Sequence, residues 1–161
     1  MLKIFEEADF TILLNWVTSK ELLFRFSAVE FSYPLTLNQW RAYRQKYPDR
    51  QQYLAMLDNS TPYGFGEIIP QDENSVRLSR LLVGEAQQRG KGLGRKLIKS
   101  LIAESKAEFT VKRVDLFVLE DNHGAIRCYE KAGFQFVKAK NLELEFNGKK
   151  YVIKKMSHGI D

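Results

Sequence analysis

At 161 residues the chain is long enough for one domain with a substantial core, and its 44% hydrophobic and 28% charged residues are ordinary for a globular protein. No apolar run reaches the roughly 20 residues that span a bilayer, the single Cys128 excludes an internal disulfide, and the acidic start is unlike a secretory signal, so we predict a cytoplasmic protein without a membrane partner. The net charge of +5 favours an anionic ligand, but 20 acidic residues are interspersed among the 25 basic ones, so we predict no nucleic-acid partner.

The first 50 positions have the pattern of helices. Apolar residues at Ile12, Leu13, Trp16 and Val17 recur at helical spacing, with Asp9 in the position of an N-cap. Two further segments, "KELLFRFS" and "TLNQWRAYRQKY", predict a second and a third short helix.

From position 51 onward strand patterns predominate. The segments "QQYLAML", "YGFGEII" and "SVRLSRLLV" predict three neighbouring antiparallel strands separated by turn-forming residues. A helix is predicted over 94–107 and a strand over "VKRVDLFVL". A short helix, "HGAIRCYEKAGF", then ends at Gly133, because glycine suits the left-handed C-terminal position.

The C-terminal part predicts a hairpin. Two strand segments, "FQFVKAKNLELEF" and "KKYVIKKM", are joined by Asn147-Gly148, a strong hairpin signal, and His158 is expected in a frayed tail. The whole order of elements predicts an α/β (α+β) fold with a single mixed, mainly antiparallel sheet flanked by helices.

A glycine-rich loop, "QQRGKGLGRK" at positions 87–96, joins a predicted strand to a predicted helix. Unpaired N–H groups at a helix start, together with glycines that remove side-chain bulk, favour an anion such as phosphate. The spacing fits neither a Walker loop nor the G-x-G-x-x-G dinucleotide fingerprint. It fits R-x-x-G-x-G through Arg89, Gly92 and Gly94.

This loop resembles the acetyl-coenzyme A loop of the GNAT family of N-acetyltransferases. A second segment, "EDNHGAIRCYEKAGF", resembles the family's N-x-x-A-x-x-x-Y-x-x-x-G-F motif. It matches through Asn122, Ala125, Tyr129, Gly133 and Phe134. The resemblance covers about positions 51–157, and the Trp-containing start is most similar to the branch with the ribosomal-protein alanine acetyltransferases.

The resemblance implies one GNAT domain over 1–161. Its helical part, about 1–50, would form the acceptor side, and about 51–157 would bind acetyl-CoA as cosubstrate, without a metal. The implied activity is transfer of an acetyl group from acetyl-CoA to a primary amine by direct attack in a ternary complex. The implied assembly is a monomer or a homodimer.

The resemblance also assigns roles to single residues. Backbone amides of the loop would bind the diphosphate, Leu82 and Val83 would pair with the pantetheine arm where the strands splay apart, and Tyr129 would be the general acid. Asn122 and Ala125 belong to the second motif, and Asn122 would hydrogen-bond the arm. The loop residues are Arg89, Gly90, Lys91, Gly92, Leu93, Gly94 and Arg95. Two alternatives stay open: Tyr129 packs its ring under the sheet, and Asn122 caps a helix.

The general base has the weakest signal. Several family members carry a glutamate on one of two strands where this chain has Arg77, Ser79 and Arg80, or Phe117. Glu67 in "YGFGEII" is the candidate that remains, with a solvated strand residue as the alternative.

The acceptor is open as well. Aromatic residues of the first 50 positions are expected partly in the core and partly around the acceptor: Trp16, Phe24, Phe26, Phe31, Tyr33, Trp40 and Tyr43. Because few acids accompany them, the pattern disfavours a polycation and favours a peptide N-terminus or a small amine. Two other classes stay as alternatives: a catalytically silent acetyl-CoA sensor, and a nucleic-acid-binding domain.

Overall fold

One sheet of eight strands organises the part of the chain that the computed structural model describes, residues 1–84 and 90–161. The strands are β1 Leu2–Ile4, β2 Gln51–Met56, β3 Pro62–Asp72, β4 Ser75–Val83, β5 Arg113–Leu119, β6 Gln135–Phe136, β7 Leu142–Phe146 and β8 Lys149–Gly159. They lie in the order β1-β2-β3-β4-β5-β8-β6, and β7 pairs with β8. Among these pairings β4–β5 is parallel and the others are antiparallel, which confirms the predicted sheet.

Five α-helices accompany the sheet in the described ranges, and each lies where the sequence predicts one. They are α1 Phe10–Trp16, α2 Lys20–Ser27, α3 Leu37–Lys46, α4 Leu93–Glu108 and α5 His123–Lys131. Helices α2 and α3 each have a hydroxyl residue as N-cap. Ser19 Oγ accepts from the Leu22 amide at 3.1 Å, and Thr36 Oγ1 accepts from the Gln39 amide at 3.3 Å.

Asp9 is at the predicted N-cap position of α1, but its side chain does not cap the helix. A short 3-10 turn, Glu7–Asp9, precedes α1, and the Asp9 side chain makes no hydrogen bond to that helix. Its carboxylate instead accepts from the Glu6 amide at 2.9 Å and from Lys3 Nζ at 2.6 Å.

The core consists of two apolar clusters on opposite faces of the sheet. Along β2, Tyr53 and Ala55 belong to the cluster that contains Leu101 of α4, whereas Leu54 belongs to the one that contains Trp40 of α3. This alternation follows from the two-residue period of a strand. Helices α1–α3 therefore cover one face, and α4 and α5 the other.

The hairpin prediction is confirmed, and three details differ. Asn147 and Gly148 have φ of 55° and 78° and join β7 to β8, as a two-residue hairpin loop requires. The segment predicted as one strand is divided into β6 and β7, and the edge strand β1 has no counterpart in the prediction. His158 lies within β8 opposite Val114, so the expected frayed tail is wrong.

A bilayer crossing would need a longer or more apolar helix than any that the described ranges contain.

Candidate active site

The central strands β4 and β5 part halfway along their length. Their parallel pairing runs from Ser75 opposite Arg113 to Leu78 opposite Leu116. Beyond these residues β4 continues beside β3, and β5 continues beside β8. A wedge therefore opens between the two strands toward their C-terminal ends.

A bulge in β4 accompanies this separation. Phe65 of β3 pairs with Leu82 and Glu67 with Ser79, so two residues of β4 lie opposite one residue of β3. The first of the two, Arg80, has a φ of 51°, which is unusual for a residue other than glycine. The family resemblance implies that the strands splay apart here, but the sequence gives no local sign of a bulge because no glycine marks the position.

A cavity of about 470 Å³ lies where the strands part. Its walls come from β4 and β5, from α2 and the turn after it, from α5 and its N-cap, and from β7. Tyr129 and Asn122, both predicted site residues, line this cavity. The other lining residues include Phe24, Phe26, Arg50, Arg77, Arg80, Leu81, Phe117, Val118 and Leu142.

Tyr129 projects from α5 and is half-buried. Its ring packs edge-on against Phe134, with 6.2 Å between ring centroids, so the packing alternative is confirmed as part of its environment. Among the described residues no hydrogen-bond partner occupies its hydroxyl. Burial raises the pKa of Tyr129 well above the ordinary value for a phenol, which keeps the proton on oxygen at neutral pH.

Asn122 is the N-cap of α5, as the alternative interpretation predicts. Its side-chain oxygen accepts from the amide of Ala125 at 3.3 Å. Ala125 itself packs against the core cluster under α4. The side-chain amide nitrogen of Asn122 makes no hydrogen bond to the described residues, so the cap leaves its donor available toward the cavity that it lines.

Two glycines at the described end of the loop before α4 have left-handed backbone. Gly90 and Gly92 both have a φ of 79°, and a Cβ added to either would meet nothing within 4 Å. Gly92 is the N-cap of α4 in the left-handed region, and Lys91 and Arg95 beside it are exposed. The predicted contact of Arg89 lies outside the described residues.

The end of β4 and the first turn of α4 lie side by side. A Cβ on Gly94 would stand 3.8 Å from Val83 Cγ2 and 3.6 Å from the Cys128 sulfur, so β4, α4 and α5 converge at this glycine. Leu82 packs against the aromatic cluster on the other face, and Leu93 against the core under α4. The structure thus brings the first turn of α4, the end of β4 and the second motif together.

Glu67 lies in the interior, with 0% of its surface exposed, so the alternative of a solvated strand residue is wrong. Tyr43 donates its hydroxyl to the carboxylate at 2.7 Å, and Gln52 Nε2 donates at 2.8 Å. Arg80 Nε is 3.8 Å away and also donates to the Tyr43 oxygen at 3.1 Å, as Arg50 does at 2.9 Å. Burial raises the pKa of Tyr43 to about 12, so it stays the donor in this network.

A family model decides the assignment. The acetyltransferase (GNAT) family model matches residues 16–134. The chain belongs to the GNAT family. This match confirms the family resemblance of the two motifs, whereas the resemblance to the alanine acetyltransferase branch stays a prediction.

Similar proteins carry acetyltransferase names. The spermine/spermidine N(1)-acetyltransferase of Bacillus subtilis (strain 168) is 40% identical over 96 residues, which cover 58% of this chain and 60% of that protein. The matched region is therefore less than two thirds of that relative.

Solved structures of acetyltransferases share the fold over nearly the whole chain. The spermidine N-acetyltransferase from Vibrio cholerae in complex with CoA and spermine superimposes with a TM-score of 0.81 at 18% identity, covering 98% of this chain and 93% of that one. AAC(6′)-Ib in complex with ribostamycin and coenzyme A gives a TM-score of 0.75 at 24% identity, covering 99% and 92%.

Sequence reasoning missed the charge cluster beside the cavity. The family pattern directs attention to glutamates, and Arg77 and Arg80 enter the prediction only as departures from that pattern. Arg50 joins them from the segment after α3, where periodicity alone gives no sign of a site. Tyr43, which accepts from Arg50 and Arg80 and donates to Glu67, is one of the aromatic residues expected in the core or around the acceptor.

Two other reactive side chains, Asp121 and Cys128, have structural surroundings. Asp121 accepts from the two terminal guanidinium nitrogens of Arg25 at 3.1 Å each. Burial raises the pKa of the Cys128 thiol, which disfavours the reactive thiolate. Within the described ranges no group of three or more His, Cys, Asp or Glu side chains is placed to hold a metal ion.

Proposed function

We propose that the chain is an acetyl-CoA-dependent N-acetyltransferase that passes the acetyl group directly to a primary amine in a ternary complex. The separation of β4 and β5 carries the proposal, because it opens a wedge between the two strands and a cavity that Tyr129 lines. The names of the GNAT relatives, which refer to polyamine and aminoglycoside acetylation, support an amine as the acceptor.

The cosubstrate side of this proposal is the loop and the strand end. Backbone amides from Gly90 to Arg95, with Arg89 before them, would bind the diphosphate at the positive end of the α4 dipole. The positive φ and open space at Gly92 support this role, since a side chain there would fill the anion's place. Leu82 and Val83 would align the pantetheine arm as an added strand, and the free amide group of Asn122 would donate to it.

The chemistry needs a neutral amine and a protonated leaving group. The amine nitrogen attacks the thioester carbonyl carbon, the C–S bond then breaks, and Tyr129 donates its proton to the departing sulfur. The surplus proton on the new amide nitrogen passes to solvent or to a base, and Tyr129 is reprotonated. Tyr129 lines the cavity, and its raised pKa keeps it protonated at neutral pH, as a proton donor must be.

Direct contact between Glu67 and the amine has little geometric support. The carboxylate is enclosed and is not among the residues that line the cavity, which differs from the predicted role as base. We propose that Glu67 instead holds Arg80 and Tyr43 in place beside the cavity.

The acceptor side is formed partly by the N-terminal region. Residues 24–30, at the end of α2 and in the following turn, line the cavity opposite β5. This placement supports the predicted division into a helical acceptor side, about 1–50, and a cosubstrate part, about 51–157. We propose a peptide N-terminus or a small molecule as the source of the amine.

Calorimetry with coenzyme A and a thiol-release assay with a panel of amines test the proposal. Gly92→Glu should abolish coenzyme A binding while the circular dichroism spectrum stays native, because it adds bulk and negative charge at the loop. Gly148→Glu is the matched control, since Gly148 also has a positive φ of 78° and open space but lies in the β7–β8 hairpin.

Unchanged coenzyme A affinity in Gly92→Glu would contradict the assignment of the loop. Binding without thiol release for any amine would contradict transfer and favour the silent sensor.

A further inference from the structure

The charge around the cavity is predominantly positive. Its charged lining residues are Arg25, Arg50, Arg77, Arg80 and Glu30. Arg25 is occupied by the bidentate pair with Asp121, and Arg80 lies 3.8 Å from the Glu67 carboxylate. Arg50 and Arg77 have no carboxylate within 4.0 Å in the described part of the chain.

Arg77 is the least satisfied of these cations. Its Nε is buried and has no hydrogen-bond partner among the described residues. Its guanidinium lies 5.4 Å from the centre of the Phe117 ring, on the cavity wall. Burial and the nearby charges of Arg50 and Arg80 lower the pKa of Arg77, which shows that its positive charge is held at a cost.

The cluster of Arg50, Arg77 and Arg80 is separated from the predicted diphosphate loop by its position on the sheet. Val76 and Leu78 of β4 belong to the core cluster under α4, so Arg77 between them faces the side covered by α1–α3. Arg77 also precedes Val83 by six strand residues, about 15–20 Å at about 3.3 Å per residue. The cluster is therefore separate from the anion site predicted at the start of α4.

We infer, resting on the proposed function, that the acceptor is an amine that itself carries an oxyanion, a carboxylate or a phosphate, bound by Arg77 and Arg50. A guanidinium recognises either group with paired N–H donors. The apolar wall with Phe117 and Leu142, both partly exposed, receives an apolar body. A polycation is disfavoured because two uncompensated arginines repel it.

An acceptor panel tests the inference. It contains leucine and phenylalanine, their carboxamides, isopentylamine, 2-phenylethylamine, phosphoethanolamine and spermidine, with thiol release as the measurement. We expect kcat/KM for the oxyanion-bearing amines to exceed that for the matched amides by about tenfold or more, the size expected for a charge-assisted hydrogen bond. The carboxylate and phosphate members separate the two sources of the oxyanion.

A pair of variants locates the preference. In Arg77→Gln the preference for leucine over leucinamide should fall by about tenfold through KM, while turnover of the amide stays the same. Arg41→Gln is the matched control, because Arg41 is exposed and paired with Glu7 away from the cavity. It should keep the wild-type preference.

Binding without turnover gives an independent reading. Calorimetric titration with leucine should show a Kd about tenfold higher in Arg77→Gln than in the wild type or in Arg41→Gln. Equal values, or no detectable binding to the wild type, would overturn the inference. Thiol release that is equal for acids and amides, or highest for spermidine, would also overturn it and leave the proposed function standing, whereas loss of coenzyme A binding would refute that function.

Discussion

The hydroxyl of Tyr129 is the group that the proposed chemistry depends on most directly. Tyr129→Phe removes the proton donor and keeps the ring packing against Phe134, so kcat should fall by about 100-fold or more. Because burial raises the pKa of Tyr129, the acid stays protonated in alkaline solution. In the wild type, kcat/KM should therefore rise as the acceptor amine deprotonates and should not decline below about pH 10.

A second phenol serves as the control for this prediction. Tyr53, whose pKa burial raises to about 12, lies in β2 and does not line the cavity. Tyr53→Phe should leave kcat near the wild-type value, and coenzyme A affinity should be unchanged in both variants. A Tyr129→Phe protein that retains full kcat would remove the general acid from the mechanism.

Glu67 illustrates how one buried charge depends on its neighbours. Glu67→Gln leaves Arg80, whose side chain is only 12% exposed, without a carboxylate, so the free energy of unfolding should fall by about 3 kcal/mol. Urea unfolding measures this change. The double variant Glu67→Gln/Arg80→Met removes both charges and should recover part of the loss.

The same variant separates positioning from base catalysis. If Glu67 positions Arg80 and Tyr43, kcat for a good acceptor should change less than about tenfold at a temperature where the variant is folded. A fall of about 100-fold, with KM and coenzyme A affinity retained, would instead restore the predicted role as base.

At the scale of elements, the start of α5 combines two roles in one residue. Asn122→Ala removes the cap to the Ala125 amide and should lower the free energy of unfolding by about 1 kcal/mol. Asn122→Asp keeps an accepting oxygen and removes the amide donor. It should therefore unfold like the wild type and bind coenzyme A more weakly, as measured by urea titration and calorimetry.

Coenzyme A affinity tests whether Asn122 also binds the cosubstrate. Equal coenzyme A affinity in Asn122→Asp and the wild type would show that Asn122 is a cap alone.

Much of the fold can be predicted from the sequence because helices and hairpins leave local residue patterns. The helical stripe of α4, with Leu97 and Leu101 fully buried, and the turn residues Asn147-Gly148 are local signals, so α4 and the β7–β8 hairpin are predicted at the right places. Strand β1 has three residues and depends on pairing with β2, which no local pattern shows. The bulge at Arg80 is set by the partner strand in the same way.

The residues of the candidate site also differ in whether the sequence alone reveals them. Motif residues such as Gly92 and Tyr129 can be found by spacing, because the family keeps their order along the chain. The network of Glu67 with Tyr43 joins residues 24 positions apart, and the approach of Arg50 to it depends on how α3 packs on the sheet. Such contacts are products of tertiary packing, so sequence reasoning places Glu67 in solvent or at the amine instead.

At the scale of the whole molecule, the change from helix patterns to strand patterns near position 50 does not coincide with a break in packing. Phe5, Phe10 and Trp40 from the first 50 residues share one core cluster with Leu54 and Phe65 of the sheet. The indole ring of Trp16 also packs directly over Gly84, at the end of β4. The helical layer and the sheet therefore stabilise each other.

This shared core predicts one cooperative unfolding transition. Both tryptophans, Trp16 and Trp40, lie in the first 50 residues, so their fluorescence reports on the helical layer, whereas far-ultraviolet circular dichroism reports on the whole chain. The two signals should give the same urea midpoint and the same slope.

In Gly84→Ala the added Cβ would collide with the Trp16 ring, so the free energy of unfolding should fall by about 1–3 kcal/mol. Both midpoints should fall together. Gly124→Ala is the control, since a Cβ there meets nothing within 4 Å. A fluorescence transition that precedes the dichroism transition, in the wild type or in Gly84→Ala alone, would show that the first 50 residues unfold as a separate unit, and the single domain predicted over 1–161 would then be wrong.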